Sequence, residues 1–227
     1  MDRNTDQNES AKQGFPWLYP QSAYIHIPFC AHHCNYCDFA IAVKQEHLIE
    51  LYLEALAAEL ATLGEPQEVQ TIFVGGGTPT LLSPIQLRRL LNTIRKWLSL
   101  KESHPKQPTT NSKQRTSYEF SIEANPGTLT EEKIAVLAEF GINRVSLGAQ
   151  TFHPHLLATL ERDHLPDDVS RAVALIKKHI GTFSLDLIFG IPGQTVGDWE
   201  SDIRHALALE PDHISTYGLT YEKGTPL

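Results

Sequence analysis

Hydrophobic positions along this chain follow two alternating rhythms. SAYIHIP (22–28), VQTIFVG (69–75), YEFSIEA (118–124), RVSLGAQ (144–150), FSLDLIFG (183–190) and HISTYGLT (213–220) are short runs rich in β-branched and aromatic residues, and each reads as a strand. Between them the apolar residues take helical spacing. Leu48, Leu51, Tyr52, Ala55, Leu56 and Leu63 predict a helix over about 46–63. Ser83 at an N-cap and Pro84 in the first turn open another over SPIQLRRLLNTIRKWLSL, 83–100. Thr130 caps a third that Gly141 stops, and further helical pieces are expected at 153–161, 167–180 and 195–209. Six βα steps result, the sixth without its helix.

Alternating strands and helices imply an α/β fold with a parallel sheet and right-handed crossovers, either open or curled into a barrel. Several strands end in small or polar groups: Gly75-Gly76-Gly77-Thr78, Glu123, Gln150 and Asp186. The C-terminal edge of such a sheet is where sites are built. Residues 1–20 read as a disordered N-terminal segment and 21–227 as the core domain, with LKESHPKQPTTNSKQRTS (100–117) as a polar loop insertion. Because the chain stops at TYEKGTPL, just past the sixth strand, a C-terminal region is expected to be missing.

Composition narrows the function. A hydrophobic content of 41% supports a sizeable core, and a formal charge of -8 argues against nucleic acid as a partner. The first twenty residues hold no apolar h-region and no run approaches a membrane span, so the expectation is a cytoplasmic protein that is not an integral membrane protein.

All three cysteines lie in CAHHCNYCDF, at Cys30, Cys34 and Cys37. Clustered thiols in a reducing compartment read as metal or redox chemistry rather than as a disulfide. Thiolates suit an iron-sulfur cluster, and three of them can hold three irons of a 4Fe-4S cluster, leaving the fourth iron open to an exchangeable ligand. A zinc site completed by His32 or His33 is the alternative. The nearby VGGGTPT (74–80), directly after a strand, offers backbone N–H groups to a small polar ligand. Elsewhere His26, His47, His104, His153, His155, His164, His179, His205 and His213 show no ligand-like set at fixed spacing.

C-x3-C-x-aromatic-C, with Tyr36 as the aromatic, and GGGTPT are similar to the motifs of the radical S-adenosylmethionine (SAM) superfamily. The likeness runs over about residues 20–227 through YIHIPFC, SIEANPG, RVSLGAQTF, DLIFGIPGQT and YGLTYEKGTPL. These resemble the branch containing oxygen-independent coproporphyrinogen III oxidase and the HemW heme chaperones. The resemblance implies a partial (βα)6 barrel with the cluster at its mouth and SAM chelating the open iron. One-electron reduction would then split SAM into methionine and a 5′-deoxyadenosyl radical.

By family position, Cys30, Cys34 and Cys37 are the cluster ligands, Tyr24 lies near SAM, Gly76, Gly77 and Thr78 line its groove, and Glu123 accepts hydrogen bonds from it. Gln150, Arg162 and Asp186 match positions that surround a second SAM in the oxidase, where Arg162 can pair a carboxylate. Tyr36 either contacts adenine or packs beside the cluster. Oxidases of the branch carry a further cysteine two places after the third; here that place is Phe39.

The resemblance therefore favours a heme chaperone, which binds heme and passes it to an unidentified acceptor, with an electron donor for the cluster. The alternative is a radical SAM oxidoreductase acting on coproporphyrinogen in porphyrin biosynthesis. In the chaperones the histidine motif linked to heme belongs to a C-terminal region, so weak heme binding is expected of residues 1–227.

Overall fold

In the computed structural model, which describes residues 21–101 and 118–227, the six predicted strands form one sheet. They are β1 (Ser22–Ile27), β2 (Thr71–Gly76), β3 (Glu119–Ala124), β4 (Arg144–Gln150), β5 (Phe183–Phe189) and β6 (His213–Gly218). Spatial order follows chain order, and every neighbouring pair is parallel. The helices are α1 (Ile49–Ala61), α2 (Pro84–Trp97), α3 (Glu131–Glu139), α4 (Pro154–Thr159), α5 (Pro166–His179) and α6 (Val196–Ala208). The predicted N-terminal disorder and nearly all of the polar insertion fall outside the described residues.

Six flat strands would put β1 and β6 roughly 24 Å apart at the usual strand spacing. Yet Cys30, just past β1, and Tyr217 and Gly218 of β6 line the same cavity. The sheet therefore curls into a partial (βα)6 barrel. Its outward face is apolar: Ile25 and Ile27, Ile72 and Val74, Phe120 and Ile122, Val145 and Leu147, and Leu185 and Leu187 share one buried cluster with Leu53, Leu87, Leu91, Ile134, Leu137, Val173 and Ile176 of the helices. Burial of each such side chain contributes about 1.5–3 kcal/mol, so the helix side carries the fold.

The inward face is polar, with Ser121, Glu123, Arg144, Ser146, Ser184 and Asp186 at alternate positions. Parallel strands covered on both faces are ordinarily apolar throughout. A polar lining with three nearly inaccessible serines, Ser121, Ser146 and Ser184, belongs to a site.

Helix starts follow the sequence. Ser83 and Gln86 form a reciprocal capping box, as do Thr195 and Asp198, and the Thr130 side chain accepts from Lys133 N. The structure departs from the expected elements at two joined places. Helix α2 ends at Trp97 rather than at 100, and Leu98–Leu100 forms a short parallel ladder with Gln67–Val69. The predicted strand 69–75 breaks at Gln70, because Gln70 N and Thr71 N both turn to Gln21 O. Leu98 keeps an apolar place in the helical spacing and is buried in the ladder, so spacing alone did not reveal that a ladder had replaced the last helical turn.

Among the described residues, no helix is long and apolar enough to cross a membrane.

Candidate functional site

The cysteine loop leaves β1 and returns on itself. Phe29–Cys30 pairs with Ala42–Val43, and Lys44 N donates to Cys30 O, which closes the base of the loop. Inside it, Cys37 N donates to Cys34 O at 3.1 Å and His33 Nε2 bonds Cys37 O at 2.8 Å. His32 places Nε2 on Glu161 O at 2.5 Å and Nδ1 3.5 Å from Asp163 Oδ2. Either histidine that a zinc site could use thus bonds a backbone carbonyl of the site, and His32 Nε2 also lies 3.7 Å from Cys34 Sγ. Among the described residues, no three His, Cys, Asp or Glu side chains converge on a point that could hold one metal ion. A cluster places each thiolate on a different iron and does not require such convergence.

All three thiols are free and partly buried. Burial pushes the Cys30 thiol up, the charges of Cys37 and Cys34 add to this, and the Thr78 hydroxyl 3.7 Å away opposes it. Cys37 is raised in the same way, first by burial and then by Cys34 and Asp38, against a backbone contact at Phe39. Three thiols gathered on one short loop form a soft donor set suited to a metal cluster.

The glycine segment brings β2 directly onto β1. Gly77 N donates to Ile27 O and Thr78 N to Phe29 O, both at 2.8 Å. Gly76 sits at φ +116°, and a Cβ there would lie 2.6 Å from the His26 ring. At Gly77 a Cβ would lie 2.8 Å from the backbone of Pro28 and Phe29. Gly77→Ala is therefore expected to cost about 1–3 kcal/mol, because backbone cannot retreat as a side chain can. Urea unfolding of the variant checks this, and an unchanged midpoint would show that the Pro28–Phe29 backbone yields freely.

Glu123 reaches the same glycines, its Oε2 accepting from Gly76 N at 3.0 Å. Burial pushes its carboxyl up to about 7; the Gly76 hydrogen bond opposes the shift and the Asp186 charge adds to it.

Arg162 crosses from the segment after α4 to the cysteine loop. Its Nη1 donates to Cys34 Sγ at 3.5 Å and its Nη2 to Gly148 O at 3.1 Å, while the buried Nε has no protein partner. Tyr36 lies against it, with its phenol pushed up by burial and held back by the guanidinium. Gln150 stands at the end of β4 with φ 63°, next to a register shift against β5. The turn beyond it is clamped by Asp202 of α6, a fully buried carboxylate that accepts from Thr151 Oγ1 at 2.8 Å and Phe152 N at 2.7 Å.

These groups surround one cavity of about 440 Å³. It is lined by Cys30, Cys34, Cys37, Tyr36, Gly76, Gly77, Thr78, Glu123, Gln150, Arg162 and Asp186, so the structure gathers nearly every residue the sequence nominated. Tyr24 is the exception. It lies on the inner face of β1 below the cavity wall, stacked 6.0 Å from Phe73 with its hydroxyl 3.3 Å from His26 Nδ1.

Residues missed in the sequence include Ser146, Asn125 and Asp163, all of which line the cavity, and Asp202 behind it. Asn125 Nδ2 donates to Asp163 Oδ1 at 3.0 Å, joining the turn after β3 to the residue beside Arg162. The available signal was alternation: Ser146 occupies a polar place in RVSLGAQ that a fully buried parallel strand would fill with an apolar residue. The lining carries five carboxylates, Asp38, Glu123, Asp163, Asp186 and Glu222, against the single guanidinium of Arg162. Such a cavity favours a ligand with a positive centre.

A model of the radical SAM superfamily matches residues 24–206, which span the cysteine loop, the glycine segment and the sheet from β1 through α6. The chain belongs to the radical SAM superfamily. This radical SAM chain is similar to the heme chaperone HemW of Lactococcus lactis, with 41% identity over 207 residues that make up 91% of this chain and 51% of that protein. It is also similar to the heme chaperone HemW of Bacillus subtilis, with 42% identity over 211 residues, 90% of this chain and 52% of the relative. The radical SAM fold likewise matches the structure of coproporphyrinogen III oxidase (HemN) from Escherichia coli, with a TM-score of 0.77 and 28% identity, covering 89% of this chain and 44% of that one. The chain spans about half the length of the curated relatives it matches.

Proposed function

We propose that Cys30, Cys34 and Cys37 hold a 4Fe-4S cluster with exchangeable SAM at its open iron, in a protein that binds heme and delivers it to an acceptor. The donor set fits the cluster: three free thiols on one compact loop, with both neighbouring histidines bonded to backbone carbonyls. The cavity fits SAM, whose sulfonium is a cation. Glu123 and Asp186 offer it carboxylates, the end of β2 offers it backbone, and Arg162 keeps Cys34 facing inward. When bound, the cluster supplies one-electron reduction of SAM.

One observation favours the chaperone over the oxidase. The cavity is acidic and the guanidinium of Arg162 is already bonded to Cys34 Sγ and Gly148 O, so a polycarboxylate such as coproporphyrinogen meets repulsion there. Phe39 agrees with this: it stands on the cavity rim with 64% of its surface exposed, where the oxidases of the branch carry cysteine. In this reading the cluster and SAM are accessory to heme transfer, an electron donor serves the cluster, and the protein works in the cytoplasm, a reducing compartment with which three free thiols are consistent.

Heme titration and a porphyrinogen assay on the full-length, cluster-loaded protein test the reading. The expected result is stoichiometric heme binding with no protoporphyrinogen formed from coproporphyrinogen. Protoporphyrinogen formation without heme binding would establish the oxidase instead. Weak heme binding by cluster-loaded residues 1–227 would place the heme determinants outside the barrel, and tight binding would place them in it.

A further inference from the structure

From the cavity wall at Asp186 and Ser146 inward to Ser184 and Arg144, four polar side chains form a line that neither the cluster nor the glycine segment explains. Arg144 Nη2 lies 3.1 Å from Ser184 Oγ, the two serine hydroxyls are 2.8 Å apart, and Ser146 Oγ is 2.8 Å from Asp186 Oδ2. At the outer end Arg144 Nη1 donates to Glu119 Oε1 at 3.3 Å, which anchors the guanidinium at the N-terminal rim of the barrel.

The direction of every bond in this line follows from valence. A guanidinium has no acceptor, so Ser184 must accept from Arg144. A carboxylate has no proton, so Ser146 must donate to Asp186. Each hydroxyl carries one proton, and that of Ser146 is already committed. Ser184 must therefore donate to Ser146. The result is an unbroken run of donors from a fixed cation to a carboxylate on the cavity wall.

Its surroundings make the run effective. Ser184 is fully buried and Ser146 is 6% exposed, so water does not screen the link. Chains of hydrogen bonds polarise one another, and a charged group at each end strengthens them. Asp186 keeps Oδ2 in this line, while its Oδ1 has no hydrogen-bond partner among the described residues.

We propose that Arg144 is a positioning residue that acts through Ser184 and Ser146 to hold the Asp186 carboxylate in one orientation, with its second oxygen presented to the positive centre of a bound cosubstrate. The proposal rests on the reading that SAM occupies this cavity and meets Asp186. It extends the site through Ser146, which lines the cavity, to Ser184 and Arg144, which do not.

Equilibrium dialysis of SAM against the cluster-loaded protein tests it. Asp186→Asn is expected to weaken binding about tenfold or more, and Ser146→Ala and Arg144→Gln about tenfold each, a factor corresponding to one oriented polar contact. Adding Arg144→Gln to Asp186→Asn should produce no further loss, since the arginine acts only through that carboxylate. General loosening of the barrel would instead lower affinity in both backgrounds.

Wild-type affinity in Ser146→Ala beside a weakened Asp186→Asn overturns the donor chain and leaves the SAM reading intact. An equal loss from Arg144→Gln with and without Asp186 also overturns it. Wild-type affinity in Asp186→Asn overturns both the chain and the assignment of Asp186 to SAM. Should Arg144→Gln fail to fold, Ser146→Ala and Ser184→Ala carry the same decision.

Discussion

Cys34→Ser is expected to leave the anaerobically reconstituted protein colourless, with iron falling from about four per chain to about one or fewer. A serine hydroxyl is a hard, protonated donor at neutral pH, whereas the cluster needs a soft thiolate. Cys34 is also the sulfur to which Arg162 donates. Its loss leaves the guanidinium with another weakened contact beside an Nε that already lacks a protein partner, which adds about 1–3 kcal/mol of desolvation cost. Iron and sulfide analysis with the visible spectrum measures the result. A colourless wild-type protein holding about one zinc per chain would overturn the cluster assignment, and so would a Cys34→Ser variant that retains full iron.

Glu123→Gln is expected to change how the stability of the cluster-free protein depends on pH. Its carboxyl is raised from 4.5 to about 7 in the fold, so between these values the folded chain binds more protons than the unfolded one. Stability from this group is complete below about 4.5 and is lost as pH rises through about 7. A shift of that size corresponds to up to about 3 kcal/mol, less what residual solvent contact screens. Glutamine keeps an oxygen for Gly76 N and carries no charge, so the variant should gain stability over the wild type at pH 8 and match it at pH 5.

The comparison must be a difference between the two proteins, because His164 works in the opposite sense. Its imidazole is lowered to about 4 by burial and then by Arg162, so its contribution is complete above about 6.5 and is lost as pH falls through about 4. Urea unfolding at the two pH values measures the difference. Parallel pH profiles for wild type and variant would show that the Glu123 carboxyl is not desolvated.

How much of this site could be read from the sequence depended on the distance between partners. The proposed cluster ligands were legible because Cys30, Cys34 and Cys37 share one loop, and a set of thiols within eight residues is a local property. Glu123 and Gln150 were legible at strand ends, since a βα repeat brings such ends to one edge, whereas Asp186, also expected at an end, lies in the middle of β5. Ser83, Thr130 and Thr195 announced their helices for the same local reason.

Other assignments depended on register. Arg162 reads as a candidate for a ligand carboxylate, yet its guanidinium meets a sulfur 128 positions earlier in the chain. Tyr24 shares β1 with the approach to the cysteine loop but sits below the cavity, level with Phe73. Leu98–Leu100 has helical spacing and became a strand because Gln67–Val69 lay beside it.

The sequence by itself determined the βα repeat, the cysteine loop and the edge of the sheet where chemistry would gather, because periodicity, capping and ligand spacing act over a few residues. Only the tertiary structure decided that the sheet curls until β1 and β6 face one cavity, that the guanidinium of Arg162 engages the cysteine loop, and that Arg144, Ser184 and Ser146 line up behind Asp186. Those outcomes depend on strand register and on the packing of every helix against the outer face, which no short window of residues contains.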